Sequence, residues 1–196
     1  MFSSENETMI RVVITGSHSV GKTTLANKLV EQLSDMGITS AVAEEPIEVV
    51  RRHHPGIAVN LDTLYMRLLE EHFSRLHSPS GCVCCLYDRS LLDLLTYYRL
   101  EGPGNPAFAS LLTELLHWYV ASINLFFYLP MEFPLVADGR RPLSEAYRIQ
   151  VDEMLKAVAG EAAISWTVIE GSIEERVAKA VAETMKLIKS KVKPGP

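Results

Sequence analysis

The sequence predicts an α/β fold, a parallel sheet covered by helices on both faces, and three observations carry that prediction. Apolar runs of strand length alternate with longer stretches whose apolar residues recur at helical spacing. The runs are close to continuously hydrophobic, as strands buried on both faces must be. The first run also leads through a short glycine-bearing loop directly into a helix, which sets a strand–loop–helix unit at the start of the chain.

Five strands follow in order: "IRVVIT" (Ile10 to Thr15), "TSAVAE" (Thr39 to Glu44), "CVCCLY" (Cys82 to Tyr87), "INLFFYL" (Ile123 to Leu129) and "ISWTVIE" (Ile164 to Glu170). Between the first two, Leu25, Leu29, Val30, Leu33 and Met36 form a helical stripe, with Gly37 placed as its left-handed cap. A second helix is expected from about Asp62 to His77 on Leu64, Leu68, Leu69, Phe73 and Leu76, closed by "SPSG". A third carries Leu91, Leu92, Leu95 and Tyr98, and after the turn "EGPGNP" a fourth presents Leu111, Leu112, Leu115, Leu116 and Tyr119. The last helix opens on Ser172 and Glu175 at capping-box spacing and continues through Val177, Ala178 and Val181. Residues 1–8 and 190–196 are expected to fray.

A chain of 196 residues, 47% hydrophobic and 22% charged, fits one soluble domain with a real core. Acidic residues outnumber basic ones 24 to 19, so the net charge of -5 provides no general attraction to nucleic acid or anionic lipid. The start "MFSSENETM" lacks a secretory pattern, and "LFFYL" is too short to span a bilayer, so a cytoplasmic protein without membrane partners is expected, with a homodimer compatible. Cys82, Cys84 and Cys85, odd in number and crowded together, suit buried strand thiols better than disulfides or zinc.

The stretch "GSHSVGKT" matches G-x-x-x-x-G-K-[ST] at every fixed position and sits between a strand and a helix, as a Walker A loop requires. Gly16 and Gly21 let the backbone of Ser17, His18, Ser19 and Val20 curl so that its N–H groups face an anion. Lys22 would reach the β- and γ-phosphates of ATP, Thr23 would coordinate Mg2+, and Thr24 would lie near the α-phosphate. The alternative is a glycine-rich turn with an exposed lysine.

The carboxyl edge of such a sheet binds ligands, and two strands run out there into "AEEPIEVVRRHH" and "YDRSLLD". Asp88, just past a buried strand, can hold Mg2+ directly or through water, and Arg89 can contact a phosphate or an acceptor. Glu45, aimed by Pro46, is the candidate base for an acceptor hydroxyl, with Glu44 as its competitor. Arg51, Arg52, His53 and His54 form a basic cluster that either meets a monophosphate or is a solvated loop. The second and third helices could present Tyr65, Arg67, Tyr97, Tyr98 and Arg99 to a ring-bearing acceptor or bury the tyrosines, and core packing is the preferred reading. Residues from about 131 to 149, "MEFPLVADGRRPLSEAYR" at their centre, are polar and arginine-bearing with Gly139 as a flexible point, the makings of a lid.

These motifs in this order, "GSHSVGKTT", "EEP" and "DRS", resemble the small P-loop kinases, above all the deoxynucleoside kinases. The segment "ADGRRPLSEAYRIQVDEML" is similar to the lid of ribosylnicotinamide kinase domains and their nucleotide monophosphate kinase-like relatives. The resemblance implies a three-layer P-loop NTPase fold with strand order 2-3-1-4-5. It implies Glu45 as catalytic base, Asp88 and Arg89 as the metal- and substrate-positioning pair, and Arg140, Arg141 and Arg148 as lid cations. The expected activity is transfer of the γ-phosphoryl group of Mg-ATP to a small nucleoside-like or nucleotide acceptor. A nucleotide-dependent ATPase or GTPase switch is the rival, although neither a D-x-x-G nor an N-K-x-D motif stands where a GTPase would place it.

Overall fold

The computed structural model describes residues 9–56, 61–77, 81–102, 104–135 and 144–191. Five strands, β1 (Ile10–Thr15), β2 (Ser40–Ala43), β3 (Cys84–Asp88), β4 (Leu125–Tyr128) and β5 (Thr167–Val168), form one sheet. Their order is β2-β3-β1-β4-β5 and every pairing is parallel, as expected. The helices are α1 (Lys22–Asp35), α2 (Pro46–His53), α3 (Leu61–Ser74, continued by a 3-10 turn at Arg75–His77), α4 (Leu91–Glu101), α5 (Pro106–Ala121), α6 (Glu145–Glu161) and α7 (Ile173–Lys191).

Side chains that alternate along the central strands divide the core in two. Ile10, Val12, Ile14, Cys84, Leu86 and Phe127 pack with Leu25, Leu29 and Leu33 of α1 and Ala180 and Ile188 of α7. Val13, Cys85, Tyr87, Phe126 and Tyr128 face the other way, into residues of α3, α4, α5 and α6. Each fully buried leucine contributes about 1.5–3 kcal/mol, and α4, buried on nearly every side, shows why its sequence lacks a polar face. Cys84 and Cys85 are buried free thiols, and burial pushes them up to about 12 and about 11 respectively.

Several boundaries differ from expectation. The third strand starts at Cys84 rather than Cys82, because the ladders to both neighbours begin there, Ile10 and Ser40 each pairing with Cys84. Only Thr167 and Val168 of the fifth run make ladder pairs; Trp166 instead stacks on Tyr128 with centroids 4.6 Å apart. The segment read as a possible loop after Glu45 is helix α2, with Pro46 at its first position, where the missing N–H costs nothing. At the other end, α7 extends through Ser190 and Lys191. Ser172 and Glu175 do form the expected capping box. Residues 1–8 and 192–196, residues 78–80 and 103 where turns were expected, and Gly139, Arg140 and Arg141 of the expected lid lie outside the described residues. Among the described residues, no helix is long and apolar enough to cross a membrane.

Candidate active site

The loop after β1 takes conformations that its sequence permits. Gly16 and Gly21 have φ of 141° and 89°. A Cβ at Gly16 would lie 2.5 Å from the carbonyl oxygen of Leu129, so only glycine fits. Ser19, at φ 57°, adds a left-handed residue between them. Gly21 caps α1, which puts Lys22, Thr23 and Thr24 in its first turn, where orphan N–H groups and the helix dipole favour an anion. The Lys22 ammonium donates to the carbonyl oxygens of Gly16 at 2.9 Å and Ser17 at 2.6 Å, spanning the mouth of the loop.

The register Ile14↔Asp88 brings the end of β3 beside this loop. Asp88 is the last residue of the strand itself, 6% exposed. One carboxylate oxygen accepts from the Thr23 hydroxyl at 2.5 Å, while the other is buried without a hydrogen-bond partner. An orphaned carboxylate oxygen beside a hydroxyl, at the edge of a phosphate-type loop, is a hard oxygen donor set of the kind Mg2+ selects. Among the described residues no group of three or more His, Cys, Asp or Glu could hold a metal, so such an ion would take its other ligands from phosphate and water.

Glu45, the cap of α2, accepts from the Arg89 Nε at 2.8 Å, and the Arg89 side chain is 12% exposed. Arg89 also donates to the Tyr97 hydroxyl at 3.4 Å and lies 3.7 Å from Asp93. Burial works against its charge, but Tyr97, Asp93, Glu45 and Asp88 more than offset that and hold the guanidinium above its ordinary value. Its backbone is left-handed at φ 71°, a conformation that costs a non-glycine residue about 1–3 kcal/mol and points to a site under constraint. Glu44 lies apart: its side chain is 50% exposed and pairs with Arg52 on the surface.

Three buried polar groups in this region went unread in the sequence. Asp93 completes a capping box with Ser90 and accepts from Thr15, joining β1 to the start of α4; the S-x-x-D spacing was its signal. Arg176 of α7 donates to the carbonyl oxygen of Val20 at 2.7 Å, pairs with Glu132 at 2.7 Å and lies over Phe133. Arg75 joins the ends of β2 and β3. Neither arginine has a local signature, since both partner sets are remote in sequence. Arg148, expected among the nucleotide contacts, is 1% exposed and stands behind the loop, reaching the Ser19 carbonyl oxygen at 3.5 Å while its own carbonyl accepts from Ser17.

Two cavities open here. One, of about 720 Å³, is lined by residues from His18 to Thr24 with Asp88 and Phe133. The other, of about 310 Å³, lies among Leu64, Tyr65, Leu68, His72, Tyr97 and Glu101. Glu45 and Arg89 line both. Tyr65 and Tyr98 are buried, as expected, in an edge-to-face pair at 5.0 Å, yet Tyr65 and Tyr97 also border the second cavity. Arg51 borders it as well, whereas Arg67 and Arg99 pair with Glu70 and Glu161.

His72, 4% exposed, has its pKa lowered well below the ordinary 6.5 by burial and then by Arg75 and Arg89; the Tyr119 ring packs at its edge. A neutral folded histidine that protonates on unfolding removes stability as pH falls below about 6.5, by up to about 1.4 kcal/mol per pH unit. The unfolding midpoint is therefore expected to drop between pH 7 and 5.5, and His72→Gln to flatten that drop. Equal slopes in thermal melts of the two proteins would refute it.

A family model described as an AAA domain matches residues 11–176. No curated protein matches the chain. Among solved structures, a NadR protein in complex with NR superposes with a TM-score of 0.68 at 18% identity, covering 98% of this chain and 54% of that one. A NadR protein in complex with NAD and AMP-PNP gives 0.69 at 18% identity, covering 98% and 53%. This chain thus spans about half the length of those proteins. Deoxyadenosine kinase from M. mycoides, with the products dCMP and dCDP bound, gives 0.61 at 12% identity and covers 91% of this chain and 100% of that one. At these identities the likeness is one of fold, the P-loop kinase-like fold.

Proposed function

Since the chain belongs to the AAA-domain family of P-loop proteins, we propose that it is an ATP-dependent phosphotransferase acting on a small nucleoside-like hydroxyl compound. The observation that carries this reading is the pair of adjoining cavities that meet at Glu45 and Arg89. A hydrolase or switch needs a phosphate cleft alone, whereas a kinase needs a second pocket that presents a hydroxyl at its edge. The acceptor cavity, at about 310 Å³, is of the size that takes a small ligand, with tyrosine and leucine walls. It carries Glu45, Asp93 and Glu101 against Arg51 and Arg89, a balance that favours an uncharged or cationic nucleoside over a nucleotide monophosphate.

In this reading the N–H groups of residues 16–22 bind the triphosphate of ATP and Lys22 turns from its loop carbonyls to the β- and γ-phosphates. Asp88 and Thr23 would hold Mg2+, whose charge would offset that of the phosphates. Arg89 orients Glu45 through its 2.8 Å bond and lies where it can meet the transferred group. Glu45 accepts the proton of the acceptor hydroxyl as that oxygen attacks the γ-phosphorus; the bond to the bridging oxygen breaks and ADP leaves. Arg148, behind the loop, supports its shape, and Arg140 and Arg141 are the cations a closing lid would bring to the phosphates.

The deciding assay follows ADP release from Mg-ATP with a panel of nucleosides, nucleotide monophosphates and ribosylnicotinamide. Stimulation by a nucleoside, at least about tenfold over its monophosphate, is expected. Turnover indifferent to every acceptor would overturn the reading in favour of an ATPase or switch.

A further inference from the structure

We propose that Arg75 is a positioning residue for phosphoryl transfer, a buried cation that sets the backbone of the groups shared by the two cavities; this rests on the phosphotransferase reading above. Its Nη1 donates to the carbonyl oxygens of Glu44 and Asp88, each at 3.4 Å, and its Nη2 donates to that of Arg89. Those three carbonyls belong to the residue that precedes Glu45, to Asp88 and to Arg89. One guanidinium thus joins the end of β2 to the end of β3 at the point where the candidate base, the candidate metal ligand and the shared arginine diverge.

The Arg89 backbone explains why such a tie is needed. At φ 71° it is held by two bonds, its N–H donating to the Ile14 carbonyl at 3.1 Å and its carbonyl accepting from Arg75. Without the second bond, residue 89 could relax towards ordinary backbone, and its side chain would leave Glu45. Arg75 is itself fixed on several sides. Its guanidinium lies over the Tyr87 ring at 5.3 Å, its Nη2 meets His72 Nδ1 at 3.0 Å, and its carbonyl accepts from the Tyr87 hydroxyl at 3.3 Å. A guanidinium can only donate, so His72, which burial keeps neutral, meets it with Nδ1 unprotonated. Arg75 lines neither of the two cavities, so it acts through the groups it holds. A lysine, a single point of charge, cannot serve three carbonyls from one planar fork.

The test uses the full chain with Mg-ATP and its best acceptor. Arg75→Lys should unfold cooperatively, lose at least about 30-fold in kcat and raise its KM for Mg-ATP about tenfold, a rise that a loss of folded protein, which lowers apparent kcat alone, cannot produce. Tyr87→Leu, which removes the ring beneath Arg75 and the hydroxyl bond to its carbonyl, should lower kcat about fivefold and raise the KM for Mg-ATP, while Tyr87→Phe, which keeps the ring, stays within about twofold of wild type. A kcat for folded Arg75→Lys within about threefold of wild type overturns the proposal. If that variant does not fold, equal kcat in the two Tyr87 variants overturns it. Should the wild type show no acceptor-dependent turnover, the phosphotransferase reading has failed on its own, and calorimetry still judges Arg75. The gain in affinity for a non-hydrolysable ATP analogue on adding Mg2+ should shrink at least about tenfold in Arg75→Lys or, failing that, in Tyr87→Leu relative to Tyr87→Phe, and an undiminished gain refutes the positioning role.

Discussion

Asp88→Asn is expected to lower acceptor-dependent kcat by about 10²–10³-fold while leaving the protein as stable as before or more so. Both halves come from the same geometry. One Asp88 oxygen accepts from Thr23 at 2.5 Å, and the other is buried without a partner. An unpaired, buried carboxylate oxygen costs folding free energy, about 1–3 kcal/mol on the usual scale. Asparagine keeps the acceptor for Thr23, removes the charge and so relieves part of that cost. What it cannot do is hold a divalent ion with the same strength, and nucleotide affinity should cease to depend on Mg2+. Steady-state assays and melts with and without Mg2+ check the pair of effects. A variant that turns over within about tenfold of wild type would show that Asp88 caps the loop and does no more.

The phosphate loop was legible because its parts are local: two glycines at fixed spacing, a lysine and a threonine, between an apolar run and an amphipathic one. The sheet order followed from the resemblance those motifs carry, and β1, β3 and β4 pair as that order demands. Helix α2 was not legible. Pro46 reads equally as a chain exit or as a first helical residue, and its eight residues offer too few turns to show a stripe. The short β5 was overread because its apolar flanks are shielded mainly by packing: Trp166 is partly buried against Tyr128, and Ile169 is fully buried with one backbone bond, to the Tyr128 carbonyl. Arg75 and Arg176 could not be read at all. A buried arginine looks like a surface one until the fold brings carbonyls to it, here from Glu44, Asp88 and Arg89 in one case and Val20 and Gly171 in the other. The choice between Glu44 and Glu45 lay between these extremes. Adjacent residues at a strand end diverge in direction, and only the neighbours, Arg52 outside and Arg89 inside, distinguish them.

That divergence makes Glu45→Gln the second large prediction. A glutamine at this position retains the size of the side chain and an acceptor for the Arg89 Nε, so the cavity walls and the KM for ATP should change little. It cannot take the acceptor's proton, and kcat should fall by about 10²–10⁴-fold, the span typical of a lost general base. Glu44→Gln supplies the control. Its carboxylate is half exposed and paired with an exposed Arg52, a surface pair whose loss costs about 0–1 kcal/mol of stability and should leave turnover intact. Rapid-quench measurement of the first turnover separates the chemical step from product release, so a slow release cannot hide the effect. If Glu44→Gln loses the burst and Glu45→Gln retains it, the base is the outer carboxylate, and the exit from β2 must rotate by one residue when nucleotide binds. If both retain it, proton removal does not limit the step, and the Glu45–Arg89 pair serves to orient the acceptor alone.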